Sequence, residues 1–122
     1  MDEKKRKGDR GEAAVASYLK HSGYAILDTQ FRCRRGEIDL IARSPEGILC
    51  FVEVKTRKNA EFAEAREFVT PAKQRRIRAA AQFYLVKCGE SDALCRFDVA
   101  EVYQAEGLFK RPKICYLAQA FD

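Results

Sequence analysis

GEIDLIA at residues 36–42 and ILCFVEVK at residues 48–55 are two apolar runs joined by a short turn. Each run carries acids at positions where a half-buried strand should carry valine or leucine. Side chains alternate between the two faces of a strand, so Glu37 and Asp39 share one face of the first run. Glu53 and Lys55 share a face of the second run for the same reason. The stretch therefore predicts a β-hairpin that places charged groups on a covered face.

The turn Ser44-Pro45-Glu46-Gly47 determines whether the two charged faces coincide. Proline presets the second position of a type I turn, and the glycine is free to adopt a left-handed conformation. This pattern predicts a three-residue hairpin loop that ends in a glycine bulge. In that register Asp39 lies opposite Glu53 and Glu37 opposite Lys55, with Cβ atoms about 4.5–5.5 Å apart. A loop of even length would instead place Asp39 and Glu53 on opposite faces.

Asp39 and Glu53 predict a divalent metal site, because two carboxylates at that distance repel unless a cation lies between them. Mg²⁺ takes one or two protein carboxylates and accepts its other ligands from water and phosphate oxygens, and we expect Mn²⁺ to substitute for it. Lys55, on the same face, would hold the attacking water or a phosphate oxygen. These groups suit metal-dependent hydrolysis of a phosphodiester. The structural alternative is an edge hairpin whose acids and lysine form cross-strand salt bridges.

The composition is that of a soluble globular protein. The 122 residues, 47% hydrophobic and 34% charged, suffice for one domain with a single core. The net charge of +5 and the pI of about 9.0 favour a polyanionic partner, although a basic protein without one has the same totals. Five cysteines without a CxxC pair or a histidine cluster indicate reduced, buried thiols in the cytoplasm rather than a zinc site. We expect neither a membrane span nor a signal peptide.

Residues 1–8 are predicted to form a flexible charged arm and residues 9–122 a single domain. The pattern predicts a helix from Asp9 to His21, with Asp9 as its N-cap. Glu12 lies one turn before the inward apolar stripe of this helix and on the same side. It either completes the cap and offsets the helix dipole, or leans over the sheet towards the acids of the hairpin.

Thr70-Pro71 predicts the start of a second helix that runs to Lys87. Basic residues crowd its first turns, although cations near a helix N-terminus oppose the dipole. A nucleic-acid backbone would explain them, and so would a solvated face with nearby acids such as Glu64 and Glu67. The candidate phosphate contacts are Arg35, Arg57, Lys58, Lys73, Arg75, Arg76 and Arg78. Gln74 either reaches the acids or remains a polar residue at the helix edge.

Three further strands are predicted from alternating side chains, at residues 24–31, 95–103 and 114–117. The polar, charged stretch from residue 56 to residue 68 has few apolar anchors and is predicted to be a mobile loop. The single histidine is assigned to the last turn of the first helix, which makes a serine or cysteine triad hard to build.

Three segments, GDRGEAA at residues 8–14, GEIDLI at residues 36–41 and FVEVKTR at residues 51–57, resemble the YraN family of predicted endonucleases. That family is similar to the archaeal Holliday-junction resolvases and, more broadly, to the PD-(D/E)XK nuclease superfamily. The resemblance covers nearly the whole chain. It implies an α/β fold in which helices flank a central mixed β-sheet, as in restriction endonucleases.

The resemblance also implies a metal site and a catalytic lysine. The metal-site acids would be Glu12, Asp39 and Glu53, and the lysine Lys55. Glu37 and Gln74 are candidate accessory residues. The implied activity is a Mg²⁺-dependent endonuclease acting on DNA, with branched or structured DNA as substrate and a homodimer to match two-fold junctions. The first alternative is a catalytically silent nucleic-acid-binding or adaptor module that keeps the nuclease fold. The second is a protein-interaction domain without a nucleic-acid role.

Overall fold

The hairpin of residues 36–55 lies in the middle of a five-stranded sheet. The computed structural model describes residues 3–57, 69–103 and 111–122, with side chains from residue 9 onward. The elements are α1 (Glu3–His21), β1 (Ala25–Cys33), β2 (Gly36–Arg43), β3 (Leu49–Arg57), α2 (Pro71–Lys87), β4 (Cys95–Tyr103) and β5 (Lys113–Phe121). The strands are ordered β1-β2-β3-β4-β5, and all neighbours are antiparallel except β3 and β4. The predicted α/β fold with a mixed sheet is confirmed.

The turn between β2 and β3 has the predicted geometry. The backbone N–H of Ser44 donates to the carbonyl of Ile48 at 2.8 Å, and that of Gly47 donates to the Ser44 carbonyl at 2.9 Å. Gly47 has a φ of 89°, the left-handed value that glycine adopts at low cost. Leu40 then pairs with Val52, which is the register expected for this loop.

The parallel pairing of β3 with β4 requires a connection across one face of the sheet, and α2 lies in that connection. The hydroxyl of Thr70 accepts from the backbone N–H of Lys73 at 3.1 Å, and Pro71 opens the helix. The helix ends at Lys87, with Gly89 beyond it at a φ of 68°. Both predicted ends of α2 are confirmed.

Two apolar clusters fill the two faces of the sheet. The cluster under α2 includes Phe31, Ile38, Ile41, Phe51, Ile77, Ala80, Tyr84 and Val99. The cluster under α1 includes Val15, Leu19, Leu40, Ala42, Val52, Ala100 and Val102. The central strands contribute to both clusters, which explains why their sequences are almost continuously apolar. An acid in such a strand has no exposed face to occupy. It can be accommodated only where the strand departs locally from regular geometry.

The predicted start of α1 is wrong. The helix begins at Glu3, so Asp9 lies within the helix and is not its N-cap, and residues 3–8 are not a separate arm. The charged residues before Gly8 are good helix formers, and a helix already anchored by its apolar stripe can extend through them. The predicted end at His21 is confirmed.

Two further expectations change with the structure. β5 continues to Phe121 instead of ending near Leu117, because Gln119 has a φ of 52° and interrupts the alternation that the sequence pattern relies on. All five cysteines are free, but only Cys50 is buried and three thiols are exposed.

Beyond Arg57, the expected mobile loop lies outside the described residues. Neither helix, as far as the chain is described, is long and apolar enough to span a membrane.

Candidate functional site

The site lies where β2 leaves β3. The pairing of the two strands stops at Leu40 and Val52, one residue before Asp39 and Glu53 would pair. The carboxylate Oδ2 of Asp39 accepts a hydrogen bond from the backbone N–H of Val54 at 2.8 Å. A continued ladder would give this N–H a main-chain partner, and here the acid takes that place. Asp39 is therefore held against β3 beside Glu53, as the hairpin register predicts.

A change of face in β2 makes this contact possible. Ile38 belongs to the cluster under α2, whereas Leu40 belongs to the cluster under α1. Residues two apart in a regular strand share a face, so β2 is irregular at Asp39. The irregularity lets the Asp39 carboxylate turn towards the main chain of β3 instead of entering either apolar cluster.

Three carboxyl groups converge at this point. Burial, reinforced by the negative charge of Glu53, raises the pKa of Asp39 to about 7, against the opposing hydrogen bond from Val54. Burial also raises the pKa of Glu12, against the opposing hydrogen bond from the amide of Gln30. Glu53 itself is only 5% exposed. Because Glu12 lies inside α1 and not at its start, it reaches the acids of the hairpin and does not cap the helix.

Two lysines meet the Glu53 carboxylate. Lys73, from α2, has its Nζ 2.6 Å from Glu53 Oε1, and Lys55 has its Nζ 3.6 Å from the same oxygen. Burial lowers the pKa of Lys55, and the charge of Lys73 lowers it further. Burial also acts against the charged form of Lys73, but the hydrogen bond and the charge of Glu53 outweigh it and raise the pKa of Lys73. Lys73 is therefore the more firmly protonated of the two.

Gln30 is a member of the site that sequence reasoning missed. Its amide Nε2 donates to Glu12 Oε2 and to Asp9 Oδ1, both at 2.9 Å, and so ties β1 to α1. The only signal in the sequence is the polar run Asp28-Thr29-Gln30, which breaks the alternation expected of a half-buried strand.

The two candidate accessory residues are engaged elsewhere. Glu37 is exposed and pairs with Arg32 at 3.4 Å, since the β2–β3 ladder ends before it could face Lys55. The amide of Gln74 donates to the Val69 carbonyl at 2.9 Å and closes the turn before α2.

The basic residues form a cavity next to the acids. A cavity of about 440 Å³ between the β1–β2 turn and α2 is lined by basic side chains. These are Arg32, Arg34, Arg35, Lys73 and Arg76. A second cavity of about 350 Å³ is lined by Asp9, Glu12, Gln30 and Asp39. Arg32 and Glu37 line both cavities, so the acidic and basic regions adjoin.

The other predicted phosphate contacts are more scattered. Arg57 lies beside the buried carboxylate of Glu101, with Nε 3.4 Å from Oε2. Arg78 donates to the carbonyl of Asp122 at 3.0 Å, and Arg75 is exposed. Lys58 lies outside the described residues.

The donor set fits a hard divalent cation. Carboxylate oxygens are the ligands that Mg²⁺ and Mn²⁺ prefer. Burial and the negative charge of Glu53 raise the pKa of Asp39, and a cation bound beside it would lower that pKa. Among the described residues, no group of three or more His, Cys, Asp or Glu side chains is placed so that it could hold a metal ion. Of the two ammonium groups that contact Glu53 in the described part of the chain, that of Lys73 is the closer.

The fold and the site define an α/β protein with a mixed five-stranded sheet and a carboxylate cluster at the end of its central hairpin. Residues 11–102 match the model of a family described as the uncharacterised protein family UPF0102, and the chain belongs to this family. A UPF0102 protein of Symbiobacterium thermophilum is 49% identical over 98 residues, which cover 80% of this chain and 82% of the relative. Another, of Geotalea daltonii, is 43% identical over 121 residues, covering 99% and 93%. A third, of Acetivibrio thermocellus, is 50% identical over 101 residues, covering 82% and 77%.

Proposed function

We propose that the protein is a metal-dependent endonuclease that hydrolyses phosphodiester bonds in DNA on a PD-(D/E)XK-type core. One observation carries this proposal: Glu12, Asp39 and Glu53, from three separate elements, converge where β2 leaves β3, with a lysine beside them. The sequence resemblance to the YraN family and to the junction resolvases supports the same chemistry.

The three acids would hold Mg²⁺ or Mn²⁺. Such an ion, when bound, lowers the pKa of a bound water and neutralises charge that develops on the phosphate. The protein fixes each acid by a different contact. Asp39 is held by the backbone N–H of Val54, Glu12 by the amide of Gln30, and Glu53 by burial and two lysines.

The two lysines would take different parts in the reaction. The lowered pKa of Lys55 suits a group that exchanges a proton at Nζ with the attacking water while it orients a phosphate oxygen. Lys73 lies between the carboxylates and the basic cavity, and its raised pKa suits a permanent cation that binds phosphate. We assign proton exchange to Lys55 and phosphate binding to Lys73.

The adjoining cavities suit a nucleic-acid backbone. The reacting phosphate would lie at the acids, and the neighbouring phosphates of the same strand would lie along Arg35, Lys73 and Arg76. Branched or structured DNA as the substrate and a homodimer as the active form follow from the resemblance to resolvases. The five free thiols suit a reducing compartment, so we place the activity in the cytoplasm.

A cleavage assay tests the proposal. We expect the protein to cut plasmid or four-way-junction DNA with Mg²⁺ or Mn²⁺ and to stop when EDTA is added. The variant Asp39→Asn should bind DNA and leave it uncut, whereas Asp92→Asn, which changes an exposed acid beyond α2, should cut normally. A wild-type protein that binds DNA and RNA but cuts neither would favour the adaptor alternative. Loss of all DNA binding at physiological salt would favour the protein-interaction alternative.

A further inference from the structure

Gln30 has an unusual backbone for a residue inside a strand. Its φ is 51°, a left-handed value that few residues other than glycine adopt. Thr29 pairs with Leu40 and Phe31 pairs with Ile38, so Gln30 stands opposite Asp39 in the register. The strained residue of β1 and the carboxylate of β2 therefore lie at the same irregular point of the sheet.

The side chain of Gln30 connects this point to α1. Asp9 and Glu12 are one turn apart on the helix, so both can face the same amide. Gln30 Nε2 has two hydrogens and donates to one oxygen of each acid at 2.9 Å. The hydrogen bond to Asp9 fixes the orientation of the Gln30 amide. The second hydrogen bond of that amide then fixes the carboxylate of Glu12. Rotation of either Glu12 or the amide would break these hydrogen bonds inside the acid-lined cavity.

Strained backbone of this kind persists where the surrounding structure requires it, and such residues are concentrated at functional sites. Glycine would adopt the same φ without strain but would lose both hydrogen bonds. The contacts that require a side chain here are those to Asp9 and Glu12.

We propose that Gln30 is a positioning residue that orients Glu12 within the carboxylate cluster, so that its effect on a bound divalent ion passes through Glu12. This inference rests on the proposed function, because it takes Glu12 as a metal ligand. Hydrogen bonds that orient metal-ligating side chains typically change metal affinity about 10–100-fold when removed.

Titration of the full-length chain with Mn²⁺ in a calorimeter tests this role. We expect Gln30→Gly and Gln30→Met each to weaken Mn²⁺ binding about tenfold or more. The two losses should be similar, although glycine relieves the backbone strain and methionine keeps both the strain and the chain length. The double variant Glu12→Gln with Gln30→Gly should bind no more weakly than Glu12→Gln alone, because the amide then has no ligand to orient.

Gln119 provides a matched control. It is the other described non-glycine residue with positive φ, at 52°, and it lies in β5 at the opposite edge of the sheet. Gln119→Gly removes the same kind of strain far from the acids and should leave Mn²⁺ affinity unchanged. DNA binding in EDTA should also be unchanged in the Gln30 variants.

Two results would overturn the role of Gln30 while the proposed function stands. One is wild-type Mn²⁺ affinity in both Gln30 variants. The other is a double variant whose loss equals the product of the two single losses, since Gln30 would then act independently of Glu12. Failure of the wild-type chain to bind Mn²⁺ would instead overturn the proposed metal site, and the role of Gln30 with it.

Discussion

At the scale of single residues, the central feature is a buried acid, Asp39, that accepts a main-chain hydrogen bond. Asp39 accepts from the N–H of Val54 and lies close to Glu53 and Glu12. Its pKa of about 7 reflects burial first and the neighbouring negative charges second. A group in this state is costly to ionise until a cation arrives.

The first prediction concerns pH and stability without metal. The folded chain holds the Asp39 proton up to about pH 7, whereas the unfolded chain releases it near the ordinary pKa of 3.8. The folded state therefore binds more protons between these values, and stability falls as pH rises through this window. Asp39→Asn should flatten that fall and be more stable than the wild type at pH 8, as measured by thermal unfolding in EDTA. Equal pH profiles for the two proteins would refute the elevated pKa.

The second prediction separates the two lysines. Lys55→Met should lower the cleavage rate about 10²–10⁴-fold and leave DNA affinity nearly unchanged, because proton exchange and orientation of the reacting phosphate are lost. Lys73→Met should mainly weaken DNA binding, because its ammonium lies at the basic cavity. Single-turnover rates at saturating DNA and binding by fluorescence anisotropy measure the two effects. The opposite pattern would exchange the roles assigned to Lys55 and Lys73.

At the scale of secondary-structure elements, the β1–β2 turn and α2 bring the basic residues to the acids. Gly36 allows this approach, because a Cβ there would lie 2.4 Å from the backbone carbonyl oxygen of Arg76. Since the position of the Cβ is fixed by the backbone of β2 and the oxygen belongs to the backbone of α2, the clash could not be relieved by a side-chain rotation.

The third prediction tests this contact. Gly36→Ala should destabilise the protein by about 1–3 kcal/mol, the usual cost of overpacking, and should lower DNA affinity by displacing α2 from the turn. Gly11→Ala is the comparison variant: its Cβ would lie 2.7 Å from an oxygen of the Thr56 side chain and not from a backbone atom, so its cost should be smaller. Alanine also favours the helix there. Chemical denaturation of both variants measures the difference, and a neutral Gly36→Ala would contradict the close approach.

The elements differ in how far their sequences predict them. The hairpin turn and α2 carry strong local signals in Pro45, Gly47 and Thr70-Pro71, and both form as predicted. The start of α1 carries a competing signal, because Asp9 looks like a cap although the helix extends past it to Glu3. The irregular pair Gln30 and Asp39 depends on contacts between β1, β2, β3 and α1, which no local pattern encodes.

At the scale of the whole molecule, the sheet separates two apolar clusters and leaves the charged residues at one end of the central strands. Asp39 and Glu53 could be singled out as candidates from the sequence because they interrupt apolar strands, whereas the pattern around Glu12, in a helix, left its role open. The contact of Lys73 with Glu53 could not, because it depends on how α2 packs against the sheet. The net charge of +5 becomes informative once five basic side chains are found around one cavity beside the acids.

The fourth prediction uses this charge distribution. The logarithm of DNA affinity should fall linearly with the logarithm of salt concentration, and Arg35→Ala or Arg76→Ala should each reduce the slope by about 0.9, as expected for one lost phosphate contact. Lys20→Ala, an exposed position in the last turn of α1, should leave the slope unchanged. Equal effects of all three substitutions would show that binding depends on net charge alone and not on the cavity.

The central claim is that Asp39 and Glu53 hold one divalent ion between β2 and β3. Anomalous diffraction from crystals soaked in Mn²⁺ tests it directly. We expect a single strong peak about 2.0–2.3 Å from carboxylate oxygens of both residues, with the Lys73 ammonium moved away from Glu53. Crystals that take up Mn²⁺ elsewhere, or not at all, while Lys73 still contacts Glu53 would contradict it.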